Sequence, residues 1–236
     1  MTFDRSQRFG RRGPRVWALA LLALALLAVV LAPATTHAAS INVAASEVAI
    51  NANGQCSLRE AIINANNDAA THADCTAGSG ADIINLAAST YSVTDSYVSY
   101  SGNTGLPVIT TAITIEGNGA TIDRNSATAF RLFAVDGVAP EAGNLTLNDL
   151  MLTDGAMTSD VGGGAVFNDR GTLTINDSFL SGHSGANSGG GGAIRAEAGT
   201  TTINTTTLSG NQAPNSGGGG AILGNNTATI VITNSS

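Results

Sequence analysis

The sequence predicts an all-β fold of the solenoid type: a right-handed parallel β-helix with 28-residue coils and an N-terminal capping helix. Two observations come from internal repetition. Stretch 171–198 aligns with stretch 199–226 without a gap, with 16 of 28 positions identical, and stretch 143–170 matches 171–198 at 10 of 28 positions. The third observation is local, because each stretch contains three short apolar runs with strand-like alternation, separated by Gly, Asn and Ser clusters typical of turns.

Three short strands and three bends make one triangular coil, and stacked coils pair each strand with its copy one repeat later. Equivalent residues should then form columns about 4.8 Å apart. One column would place Asn148, Asn176 and Asn204 at a bend, where their amides bond to one another. Two apolar columns would fill the core: Leu152, Leu180 and Leu208, and Val166, Ile194 and Ile222. A helical repeat is excluded, because four-glycine runs and Thr-Ile-Thr patterns have poor helix propensity.

The chain divides into three predicted parts. Residues 1–38 combine a basic start, an apolar run and a small-residue cleavage site, which is the pattern of a secretory signal peptide, with a retained anchor as the alternative. Residues 39–81 form an N-terminal cap segment, and residues 82–236 form the β-helix, with room for five or six coils. The last residues repeat the start of a coil, so we expect a β-helix truncated at its C-terminus, whose open coil self-associates.

The charge of the chain excludes whole classes of partner. The sequence has 10 basic and 17 acidic residues, a net charge of −7. After removal of residues 1–38, five arginines and 16 acidic residues remain, so the net charge becomes 5 − 16 = −11. Such a surface repels nucleic acid and anionic lipid. We therefore expect no nucleic-acid partner and no membrane span in the exported part, and we expect an extracellular protein or glycan as the partner.

A helix should begin within the stretch Cys-Ser-Leu-Arg-Glu-Ala-Ile at 56–62. Ser57 and Glu60 form a capping box, which marks a helix N-terminus. The apolar stripe that follows consists of Leu58, Ala61, Ile62 and Ala65. This amphipathic helix would cover the first coil of the β-helix, whose end would otherwise be an exposed sheet edge.

The two cysteines of the chain, Cys56 and Cys75, flank this helix. In an exported chain an even pair of cysteines predicts a disulfide. The closed loop of about 20 residues would contribute roughly 3 kcal/mol in the chain-entropy description. A zinc site or a redox motif is excluded, because two cysteines do not complete a tetrahedral site and their spacing is not C-x-x-C.

The same residues carry a resemblance to a known family. The string CSLREAI, then Asn64-Ala65-Asn66, the run 82–86 and Tyr91 resemble the CSLREA-domain proteins of bacteria. Those are exported proteins in which this segment precedes parallel β-helix repeats. The downstream Ser-Gly-Asn and Gly-Gly-Ala-Ile strings are similar to the repeats of polymorphic outer-membrane proteins and surface adhesins. The resemblance covers about residues 50–236 and implies location and architecture but no reaction; long members carry many more coils.

The candidates for catalysis lie in the repeat. Asp149 and Asp177 are equivalent residues one coil apart, and stacking would place them about 5 Å apart, as in retaining glycosidases. The next coil has Thr205 at that position, and Asn-Asp is also turn chemistry, so we favour a turn. His183 occupies a position where the next coil has Asn211, and we interpret it as a bend residue.

Two hypotheses about function follow. The first is a surface or secreted protein for adhesion, display or scaffolding, without catalysis and without a cofactor. The alternative is a polysaccharide lyase or glycoside hydrolase acting on an extracellular carbohydrate, whose groove would need three or more converging carboxylates and an arginine. Calcium is the only cation to consider, and its sites need six or more oxygen ligands, for which no motif is present.

Overall fold

The computed structural model describes residues 37–138, 142–158, 161–185, 190–214 and 218–236. The predicted signal peptide lies outside the described residues, except for its last two. Within the described ranges the chain forms one helix, α1 (Leu58–Asn66), and thirteen strands. The strands are β1 (Ser40–Asn42), β2 (Asp82–Asn85), β3 (Thr90–Val93), β4 (Val98–Ser99), β5 (Asn103–Thr104), β6 (Ala112–Arg124), β7 (Phe133–Asp136), β8 (Asn144–Thr153), β9 (Val166–Asn176), β10 (Phe179–Ser181), β11 (Ile194–Asn204), β12 (Thr207–Ser209) and β13 (Ile222–Thr233).

The strands stack into three parallel faces. The first face joins β1, β2, the first halves of β6 and β8, and the second halves of β9, β11 and β13. The second face joins β3, the second halves of β6 and β8, then β10 and β12. The third face joins β7 with the first halves of β9, β11 and β13. The fold is therefore a parallel β-solenoid of about five turns, as predicted.

The predicted columns are confirmed residue by residue. Asn176 donates from its amide to Asn148 Oδ1 at 2.8 Å, and Asn204 donates to Asn176 Oδ1 at 2.8 Å. These bonds form an amide ladder along the bend between the first and second faces. The two apolar columns pair in register, through Leu152, Leu180 and Leu208 on the second face and Val166, Ile194 and Ile222 on the third.

The structure differs from the prediction of three separate strands per coil. β9 and β11 continue through the bend between the third and first faces. Arg170 and Gly199 turn the chain there with positive φ angles of 66° and 74°. A single left-handed residue changes the strand direction, so the pairing resumes directly after it.

Side chains that point inward form one continuous core. On the first face the core column has no exposed surface over five coils and consists of Ile84, Ile115, Leu147, Ile175 and Ile203. Ile232, the next residue in that column, is 53% exposed in the last coil. Burial of β-branched and leucine side chains along such columns is the main source of stability in this kind of fold.

The N-terminal segment packs against this core. In α1 the Ser57 hydroxyl accepts from the backbone of Glu60, and the Glu60 carboxylate accepts from the backbone of Ser57, which completes the capping box. Cys56 and Cys75 form a disulfide with their Cα atoms 4.6 Å apart. The apolar stripe of α1 is fully buried and contacts the core, through Leu58, Ala61, Ile62 and Ala65.

Arg59, the basic residue of the CSLREA string, is almost fully buried. Its Nε donates to the carbonyl of Gly105 at 3.0 Å, and its Nη2 donates to the carbonyl and carboxylate of Asp95. These bonds attach α1 to the segment that contains the antiparallel pair β4–β5. Each residue of the string from Cys56 to Ile62 therefore has a structural contact. No helix in the described part of the chain is long and apolar enough to span a bilayer.

Candidate functional site

The predicted acid pair lies at the bend between the first and second faces. Asp149, Asp177 and Thr205 have φ angles of 49°, 49° and 48°, one left-handed residue per coil. Aspartate tolerates this backbone because its side chain is short and polar. In the described part of the chain neither carboxylate accepts a hydrogen bond from the backbone, so the left-handed backbone, not a side-chain bond, defines the turn.

An open groove of about 470 Å³ runs along this bend and the adjoining second face. We call it the second-face groove. Its lining includes Asp149, Met151, Asp177, Phe179, Thr205 and Thr207. Met151 pairs with Phe179, and Phe179 pairs with Thr207, so these three side chains form an outward column beside the bend. The groove therefore brings the predicted acid pair next to two apolar side chains, which the sequence reasoning did not anticipate.

A second group of acidic side chains was missed by the sequence reasoning. Asp136 pairs with Asp169 on the third face. Glu197 and Asn225 follow Asp169 at steps of 28 residues, so the column could have been found from the repeat. The hydroxyl of Tyr100 donates to Asp169 Oδ2 at 2.9 Å. We call Asp136, Asp169 and Glu197 the acidic ladder.

Arginines neutralise most of the acidic ladder. Arg170 Nε lies 2.9 Å from Asp169 Oδ1, and Arg195 Nη2 lies 3.1 Å from Glu197 Oε1. Burial, followed by hydrogen bonds to Asp169 and Asp136, raises the pKa of Tyr100, so its hydroxyl stays a donor. Over the described residues no three His, Cys, Asp or Glu side chains converge closely enough to hold a metal ion. The acidic ladder is a row of ion pairs and does not form a converging catalytic cluster.

His183 is completely buried at the bend that follows the second face. Its Nδ1 accepts from the backbone N–H of Gly155 at 3.0 Å, and its Nε2 lies 3.0 Å from the carbonyl of Leu152. One coil later, Asn211 donates to the carbonyl of Leu180, the equivalent of Leu152. Burial lowers the pKa of His183 to about 4, so the ring is neutral near pH 7. Its contacts are those of a structural bend residue.

Arg131 is a buried cation on the third face. It donates to the carbonyls of Tyr100 at 3.2 Å and Ser101 at 2.8 Å, and its guanidinium lies 4.6 Å from the centre of the Phe167 ring. Burial lowers the pKa of Arg131 to about 10. The side chain holds the β4–β5 hairpin against the third face.

A smaller pocket of about 240 Å³ lies beside α1. Its acidic group is Glu60, whose carboxylate accepts from the backbone N–H of Asn51 at 3.1 Å and of Ser57 at 3.0 Å. His72 Nδ1 lies 4.0 Å from the same carboxylate. Because Glu60 is occupied by the capping box, this pocket has a structural explanation, and the second-face groove remains the better candidate for ligand binding.

No protein-family model, curated protein or solved structure matches this chain. The geometry of the coils and of the second-face groove is therefore the main source of information about function.

Proposed function

We propose that this chain is an exported β-solenoid that works by contact, in adhesion, surface display or extracellular scaffolding, and not by catalysis. The observation that carries the proposal is the amide ladder of Asn148, Asn176 and Asn204 together with the in-register columns. These bonds and pairings hold successive coils in register, so equivalent outward positions recur once per coil at a fixed spacing.

The polar side chains support a non-catalytic role. Asp169 and Glu197 are paired with arginines, and His183 is buried and neutral. General acid–base catalysis requires titratable groups within reach of a substrate and with pKa values near the working pH. His183 is buried out of reach of a substrate and its pKa is lowered to about 4, and the carboxylates of Asp169 and Glu197 are held by arginines.

The proposal includes an extracellular location and an extracellular partner. The basic and apolar start of the chain supports export, and the resemblance to CSLREA-domain proteins supports a cell-surface or secreted location. A net charge of −7 disfavours nucleic acid, so the proposed partner is an extracellular protein or glycan.

The test is export followed by adhesion. The full chain and a variant without residues 1–38 are expressed in a bacterial host, and protease added to intact cells is used to measure exposure. We expect the full chain alone to be exposed or released. Beads coated with the released protein should then adhere to cells or extracellular matrix better than beads coated with reduced, denatured protein. Retention of the full chain in the cytoplasm, or equal adhesion of both bead types, would contradict the proposal.

One observation supports the alternative function, a polysaccharide lyase or glycoside hydrolase. Asp149 and Asp177 lie one coil apart in an open groove of about 470 Å³. The second test is therefore incubation of the protein with extracellular polysaccharides, followed by measurement of new reducing ends and unsaturated products. Release of products that stops in the Asp149→Asn, Asp177→Asn double variant would establish the enzyme and overturn the contact proposal.

A further inference from the structure

Three outward columns lie side by side on the second face, a polar, an apolar and a second polar one, and the first two line the second-face groove. In a strand every second side chain points outward, so positions 149, 151 and 153 and their copies lie side by side on the surface. The two columns that line the groove are Asp149, Asp177 and Thr205, and Met151, Phe179 and Thr207. The third column, Thr153, Ser181 and Ser209, follows next to it on the same face. An apolar floor with hydrogen-bonding groups along both sides fits a ligand that has two apolar faces and a polar rim.

The apolar floor is not needed by the fold. Met151 is 41% exposed, and Phe179 is half-buried on the outside of the coil. The strand neighbours in the same column are Thr121 and Thr207, which show that threonine serves the coil equally well. Two large apolar side chains at adjacent coils therefore point to a contact outside the chain.

The spacing between coils indicates which kind of polymer could bind along the groove. Equivalent groups repeat once per coil, about 4.8 Å apart, whereas an extended peptide advances about 3.3 Å per residue. A peptide lying along the solenoid axis would fall out of step with the columns after a few residues. In a β-1,4-linked pyranose chain one sugar spans about one coil, each ring presents flat C–H faces, and its equatorial hydroxyls lie at the rim.

The charge of the groove restricts which class of glycan can bind in it. Its charged groups are the carboxylates of Asp149 and Asp177, and no basic side chain of the described chain lines it. Uronate or sulfate polymers would be repelled, because they would bring anions next to these carboxylates. Carboxylates accept hydrogen bonds from neutral hydroxyl groups, so an uncharged glycan suits the groove.

We infer that the second-face groove binds an uncharged, linear β-1,4-linked glycan that lies along the solenoid axis. Met151 and Phe179 stack under successive sugar rings. Asp149 and Asp177 accept hydrogen bonds from hydroxyls on one rim. Thr153, in the neighbouring column, donates to Asp123 Oδ1 and keeps its hydroxyl oxygen as an acceptor. This inference rests on the proposed function as a contact protein and names its partner class.

The chain offers substitutions that change the groove and keep the coil. Met151→Thr and Phe179→Thr introduce the residue that neighbouring coils already have in this column. Ile83→Thr is the matched control, because Ile83 is 38% exposed on the first face, where its strand neighbour is Thr114. Thermal unfolding of each variant verifies that the fold is retained.

The experiment is calorimetric titration of the protein, purified after export of the full chain, with three hexasaccharides. These are β-1,4-linked glucose, β-1,4-linked N-acetylglucosamine and, as the control for shape, α-1,4-linked glucose. We expect a β-linked hexasaccharide to bind better than the α-linked one. Phe179→Thr should weaken binding about tenfold, because an aromatic contact is lost. Ile83→Thr should leave it unchanged.

Three results would overturn the inference. The first is that neither β-linked hexasaccharide binds, and the second is that Phe179→Thr binds as well as Ile83→Thr. The third is that Phe179→Thr abolishes self-association or binding of a lysine-rich peptide, which would make the groove a protein contact. If export and adhesion hold and no hexasaccharide binds, the inference alone fails. If the full chain is not exported, the proposed function fails, whatever the titration shows.

Discussion

Acidification should destabilise this protein through one buried side chain. His183 has its pKa lowered to about 4 by burial, against about 6.5 for an ordinary histidine. Between these values the unfolded chain binds a proton and the folded chain does not. The stability that His183 contributes is therefore complete above pH 6.5 and is lost as the pH falls to about 4.

The size of the effect follows from the difference in proton affinity. Each tenfold difference is worth about 1.4 kcal/mol, and the affinity differs by more than two powers of ten, so the loss near pH 4.5 is about 2–3 kcal/mol. His183→Asn removes the titration and keeps the coil, because Asn211 makes the equivalent contact one coil later. At pH 7 the variant should therefore fold as the parent does.

Urea unfolding followed by circular dichroism, at pH 7 and at pH 4.5, gives the free energy of unfolding for both proteins. The carboxylates titrate in both, so their contribution cancels in the comparison. We expect the parent to lose about 2–3 kcal/mol more than His183→Asn over this interval. Equal losses would show that His183 is not held neutral and would refute the reasoning from its burial.

Three further predictions concern the ladder, the turn and the disulfide. Asn176→Ala should lower the free energy of unfolding by about 1–3 kcal/mol, measured in urea, because Asn148 Oδ1 loses its donor and Asn204 Nδ2 loses its acceptor; no change would show that the ladder is not stabilising. Asp149→Asn with Asp177→Asn should leave the fold intact, measured by thermal unfolding, because asparagine also tolerates the left-handed turn; loss of polysaccharide degradation in a folded variant would support the enzyme. Cys56 and Cys75 should show no free thiol when the exported protein is unfolded without reductant and labelled; two labelled thiols would contradict the bond.

The repeat made most of the coil architecture predictable. Asn148, Asn176 and Asn204 lie 28 residues apart, and in a solenoid such spacing places residues in one column. The helix at Ser57 was predictable because a capping box and an apolar stripe are local signals. The continuation of β9 through its bend was not, because it depends on the single left-handed residue Arg170.

The missed features depend on contacts between distant parts of the chain. Arg59 binds Asp95 and Gly105, which lie 36 and 46 residues away. Asp136 joins the acidic ladder from a coil that does not keep the 28-residue spacing, so no alignment of repeats would include it. The apolar floor of the second-face groove was missed for another reason, because the predicted columns followed Leu180, which points inward, and not its neighbour Phe179, which points outward.

The similarity of stretches 171–198 and 199–226, which are identical at 16 of 28 positions, has a consequence for how the gene can change. Similar DNA segments in tandem recombine out of step, which deletes or duplicates one whole unit. Because each coil contacts only its neighbours, such an event leaves every other pairing intact. The number of coils can then change without new folding requirements. The coils before residue 143 have irregular spacing and are bonded to Arg59. They would therefore stay unchanged while the number of later coils changes.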